Sequence, residues 1–103
     1  MLTLDESANG QEVELAVGQE LEVCLRENPT TGYRWRLDAE GAPACRLIED
    51  FARIPNDPPG RGGTHHWHFQ SVQAGDGAIE LASRRSWGTQ TIGTFLLRVR
   101  VVP

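Results

Sequence analysis

The sequence predicts an all-β fold, a sandwich or a barrel, from the spacing of its apolar residues and of its turn residues. Hydrophobic side chains recur with a period of two in six separate segments, the pattern of strands with one face in a core and one in water. Turn formers punctuate the intervals, at Ala8-Asn9-Gly10, Asn28-Pro29, Asp57-Pro58-Pro59-Gly60 and Gly75-Asp76-Gly77. Only residues 44–53, ACRLIEDFAR, read as a short helix, and no capping residue supports that reading. Many short strands with no helical pattern between them indicate sheet packed on sheet or a closed barrel.

The elements follow in chain order. Val13, Leu15 and Val17 alternate with Glu12, Glu14 and Ala16; Leu21, Val23 and Leu25 alternate with Glu22, Cys24 and Arg26. Tyr33, Trp35 and Leu37 alternate with Arg34, Arg36 and Asp38, and Trp67 and Phe69 with His66, His68 and Gln70. Ile79 and Leu81 alternate with Ala78, Glu80 and Ala82. Phe95, Leu97, Val99 and Val101 form the longest and most β-branched run, which suits a strand inside its sheet. The predicted core is Leu15, Leu21, Val23, Leu25, Trp35, Leu37, Trp67, Phe69, Ile79, Leu81, Phe95, Leu97 and Val99. Burial of each such side chain contributes about 1.5–3 kcal/mol, so Trp35 and Trp67 read first as core residues.

A chain of 103 residues has the size of one domain, and 39% hydrophobic with 23% charged residues suits a packed core. Residues 1–103 are therefore expected to form a single domain. Asp and Glu outnumber Lys and Arg by 14 to 10, which argues against nucleic acid as a partner. No apolar run approaches the length of a membrane span. The segment MLTLDESANG has neither the basic nor the apolar region of a signal peptide. As written the chain is cytoplasmic; a periplasmic or secreted protein trimmed of its leader would read the same way. Cys24 and Cys45 lack CxxC spacing, and two unpaired thiols are the plainer reading than a disulfide.

Three segments between the strands have chemistry that folding does not demand. In Asn28-Pro29-Thr30-Thr31-Gly32-Tyr33, Pro29 fixes its own φ and holds Asn28 extended, while Gly32 is free to take positive φ. An ordinary turn accounts for Asn, Pro and Gly but not for two successive threonines. Gly60-Arg61-Gly62-Gly63 is either a flexible connector or a place where a backbone comes close to a partner; a phosphate-binding reading lacks both the motif and the helix. Arg84-Arg85-Ser86-Trp87-Gly88 sets a tryptophan beside arginines between two strands. Those residue types concentrate at interface hot spots, although a Trp folded back on the sandwich end is equally natural.

Together these segments resemble the chagasin-type inhibitors of papain-family cysteine proteases, marked by NPTTGY, then GxGG before an aromatic strand, then RPW or RPF. The first motif is intact from Asn28 to Tyr33, and the second reads Gly60, Arg61, Gly62, Gly63 before His65-His66-Trp67-His68-Phe69. The third is altered to Arg85, Ser86, Trp87, which removes the constraint a proline would place on the loop. The resemblance implies an immunoglobulin-like antiparallel β-sandwich with the three loops at one end, filling a protease cleft. Thr31 would lie nearest the catalytic cysteine, with the other two loops flanking it. It implies a monomer whose partner is a papain-like cysteine protease, with no cofactor and no catalytic residues.

Other readings are weaker. Cys24 or Cys45 with one of His65, His66 or His68 is the thiol–imidazole option for an enzyme, but no oxyanion-hole signature accompanies it. His66 and His68 share a strand face at a spacing that can ligate metal, with no further ligand evident nearby. A solvated strand face is the simpler account, so no metal site is expected. A non-catalytic module binding another protein or a carbohydrate fits the fold equally well, but does not need NPTTGY.

Overall fold

Period-two alternation becomes eight strands in the computed structural model, which describes residues 1–28, 31–53, 62–85 and 90–103. They are β1 (Leu2–Leu4), β2 (Glu12–Ala16), β3 (Glu20–Glu27), β4 (Tyr33–Glu40), β5 (Cys45–Arg53), β6 (Gly63–Ser71), β7 (Gly75–Arg85) and β8 (Thr91–Val102). Two four-stranded sheets, ordered β1-β3-β6-β5 and β2-β8-β7-β4, pack face to face as a sandwich. A 3-10 turn at Glu6–Ala8 is capped by the Asp5 carboxylate on the Ser7 amide.

The sheets are mixed. Four ladders are antiparallel, but β1 runs parallel to β3 and β2 parallel to β8. The reason is the N-terminal segment, which pairs along one sheet as β1 and then crosses to edge the other as β2. Residues 44–53 are strand β5, not a helix. The register slips between Leu47 and Glu49, and such a bulge breaks the alternation that would have revealed the strand.

The predicted core side chains are buried except Trp35 and Leu37, which are half-buried and pack against the cluster. Both lie on β4, an edge strand. Ala8, Ala44, Cys45, Ala82 and Val101 complete the interior. Strand β8 sits inside its sheet between β2 and β7. Both cysteines are free: Cys45 is buried, while Cys24 alternates with the buried Val23 and Leu25 and so lies on the outer face of β3.

Candidate functional site

Strand register decides where the loops emerge. Glu27 at the end of β3 pairs with Gly63 at the start of β6, and Arg53 at the end of β5 pairs with Thr64. Tyr33 at the start of β4 pairs with Arg85 at the end of β7, and Arg84 with Thr91 in β8. The β3–β4, β5–β6 and β7–β8 connections therefore leave from the same end of the sandwich. Their bases converge on one open cleft, lined among others by Asn28, Thr31, Tyr33, Gly62 and Gly63. Of the expected site residues, Asn28, Thr31, Gly32, Tyr33, Gly62, Gly63 and Arg85 come together here. Pro29, Thr30, Gly60, Arg61, Ser86 and Trp87 lie outside the described residues.

The first loop is held by its own polar groups. The Thr31 amide and hydroxyl both donate to the Asn28 carbonyl, at 3.2 and 2.9 Å. The Tyr33 amide donates back to Thr31 Oγ1 at 3.3 Å. Gly32 has φ of +81°, a conformation that side chains resist. The second loop returns against the first: a Cβ added at Gly62 would stand 3.4 Å from the Asn28 Cβ. Here the glycine accommodates a neighbouring loop of the same chain. The third is tied to the first by the Arg85 guanidinium, whose Cζ lies 4.4 Å from the centre of the Tyr33 ring, within cation–π range.

Beneath the loops lie polar residues that loop-based reasoning missed. Glu27 is buried, and its Oε2 accepts a 2.7 Å hydrogen bond from the Trp35 amide, joining the two sheets at the mouth. The Trp35 indole N–H donates to the Arg26 carbonyl at 2.8 Å. Trp35 is thus as much a brace of the loop end as a core residue. His65 faces Glu27 with one ring nitrogen, 3.4 Å away, and Asp50 with the other, 2.9 Å away. The signal was present in the alternation: Glu27 shares parity with Leu21, Val23 and Leu25, and His65 with Trp67 and Phe69. Ile92, 56% exposed, also borders the cleft. It was missed because the β-branched run that marks β8 starts after it.

The outer face of β3 and β6 assembles a thiol, an imidazole and a carboxylate. Cys24 Sγ is 3.8 Å from His66 Nε2, and His66 Nδ1 is 3.0 Å from Glu22 Oε1. Burial pushes the Cys24 thiol above its ordinary value, and Glu22, Glu6 and Asp5 add to the effect. A nucleophilic cysteine needs the opposite shift. The same His66 nitrogen is also engaged at 2.8 Å by Thr64 Oγ1, so the trio is a packed polar surface. His68 meets different carboxylates, Glu20 at 3.3 Å and Glu49 at 3.8 Å. Among the described residues, no group of three His, Cys, Asp or Glu side chains is arranged to hold a metal ion.

Residues 14–99 match the sequence profile of the Chagasin family peptidase inhibitors, I42. The chain belongs to the chagasin family. It is similar to Amoebiasin-1 of Entamoeba histolytica, 32% identical over 106 residues that cover 97% of this chain and 99% of that one. It is also similar to Chagasin of Trypanosoma cruzi, 36% identical over 86 residues, covering 77% and 76% respectively. The crystal structure of a cysteine protease inhibitor from Entamoeba histolytica superimposes with a TM-score of 0.86, covering 98% of this chain and 95% of that one. At 20% identity, that likeness establishes the immunoglobulin-like sandwich of chagasin-type inhibitors. Family membership makes the chain an inhibitor of peptidases and not a catalyst, in keeping with the raised Cys24 thiol.

Proposed function

We propose that residues 1–103 act as one monomeric inhibitor domain that occludes the active-site cleft of papain-like cysteine proteases with three loops. The binding residues are Asn28, Pro29, Thr30, Thr31, Gly32 and Tyr33 in the first loop and Gly60, Arg61, Gly62 and Gly63 in the second. Arg85, Ser86 and Trp87 form the third. The observation that carries this reading is the convergence of three loop bases on one end of a rigid sandwich, in a chain of the chagasin family.

The mechanism is steric. Hydrogen bonds among Asn28, Thr31 and Tyr33 and the Tyr33–Arg85 contact hold these residues in place before any partner arrives, which lowers the conformational entropy they lose on association. No bond is made or broken, and the inhibitor needs no cofactor. A surface of three loops suits an interface of standard size, about 1,600 Å² in total. A carbohydrate-binding module on the same sandwich would have no use for the NPTTGY loop. Titration of the purified protein into papain, with a fluorogenic peptide as substrate, tests the proposal. Activity should fall to zero near one equivalent; full activity in large molar excess would refute it.

A further inference from the structure

Directly under the first two loops lies a polar chain that sandwich folding does not require. Strand parity turns Glu27 and His65 inward, at positions where β3 and β6 otherwise place Leu21, Val23, Leu25, Trp67 and Phe69. Burying a carboxylate is costly, and apolar residues at such sites are commonly neutral or better for stability. The polar pair therefore calls for another explanation, and its connections supply one. The Trp35 amide donates to Glu27 Oε2 at 2.7 Å; Glu27 Oε1 faces His65 Nδ1 at 3.4 Å; His65 Nε2 meets Asp50 Oδ1 at 2.9 Å. The chain runs through β4, β3, β6 and β5, the strands that flank the first and second loops. The His65 ring stacks on Trp67 at a centroid distance of 4.0 Å, which fixes its plane.

Both ring nitrogens of His65 face carboxylates. A neutral imidazole donates from only one nitrogen, whereas the imidazolium donates from both. The charged groups meeting the ring among the described residues are Glu27 from β3 and Asp50 from β5. Strand β4 supplies the Trp35 backbone amide to the same Glu27. Arg26 and Arg53 border the cleft beside Glu27, and His66, next on β6, is paired with Glu22 on the opposite face.

We propose that His65 is a positioning residue for inhibition: it ties Asp50 to Glu27 and holds the bases of the first two loops in the spacing that engages the protease. This rests on the inhibitory role proposed for those loops.

The test compares inhibition constants of wild type, His65→Phe, Asp50→Asn and the double variant against papain. Phe preserves the stack on Trp67 and removes both donors. The constant of folded His65→Phe should rise roughly ten-fold, the scale of one hydrogen bond to a charged group, and adding Asp50→Asn to it should raise it little further, because the bond that Asp50 accepts is already gone. Asp50→Asn should change in the same direction by a smaller factor. The Asp50 side chain is 45% exposed, so this variant folds even if His65→Phe does not. An unchanged constant for either single variant, or effects that simply multiply in the double variant, would overturn the positioning role. A wild-type protein that fails to inhibit papain would overturn the inhibitory reading as well.

Discussion

The Thr31 hydroxyl is engaged within its own loop, donating to the Asn28 carbonyl and accepting from the Tyr33 amide. Its proposed contribution to inhibition is therefore partly to keep the loop closed. Thr31→Ser retains the hydroxyl and should keep most of the affinity. Thr31→Val keeps the shape, loses about 0.5–1.5 kcal/mol of loop-closing hydrogen bond, and should raise the inhibition constant several-fold. Because Thr31 is exposed, both variants should melt close to wild type. Equal inhibition by the two would mean the hydroxyl plays no part. At Gly32, φ of +81° makes even alanine a strained substitute, so Thr31 is the cleaner probe.

At the scale of elements, close approach of backbones matters most where β7 begins. A Cβ built on Gly77 would run into the carbonyl oxygen of Gly41, which itself has φ of +85°. Gly77→Ala must push β7 away from the turn that follows β4. A loss of about 1–3 kcal/mol is expected, the usual cost of forcing an extra group into a packed site. Denaturant unfolding would measure it, and a midpoint equal to wild type would contradict it. Gly77 pairs with Val99 in β8, whereas the loop end of β7 is Arg85. The inhibition constant of the folded variant should therefore be unchanged.

Across the whole molecule, charge is unevenly divided although the net formal charge is −4. Arg26, Arg34, Arg36, Arg53, Arg84 and Arg85 lie on the loop-bearing portions of their strands. Glu12, Glu14, Glu20, Glu40, Glu49, Asp76 and Glu80 lie towards the other end. Arg84 is partly offset by Asp38 at 2.9 Å, an exposed pair worth little. Glu27 and Asp50 also lie towards the loop end and Arg46, Arg98 and Arg100 towards the other, but they leave the proposed binding end positive relative to the body, so it should be drawn towards a protease with an acidic cleft. The association rate with such an enzyme should fall as ionic strength rises from about 0.02 to 0.5 M, because screening removes long-range steering. A rate that is flat or rising over that range would exclude steering by this dipole.

The alternation of residues such as Leu21, Val23 and Leu25 was enough to determine that half-buried strands form, because a period of two leaves one face apolar in any strand pairing, but it left sandwich and barrel open. The motifs at Asn28–Tyr33, Gly60–Gly63 and Arg85–Trp87 likewise pointed to the family and to the proposed binding end without coordinates, since residues that folding does not need stand out against a regular pattern. Strand β5 stayed hidden because its bulge shifts the phase of the side chains between Leu47 and Glu49. The parallel pairing of β1 and β2 was hidden too, because partner choice depends on distant strands. Parity alone turns Glu27 and His65 inward. Only the folded chain brings them to each other and to Asp50, across 38 and 15 residues of sequence. Contacts between strands distant in sequence leave no trace in local periodicity, and for that reason the clamp beneath the loops belongs to the tertiary structure.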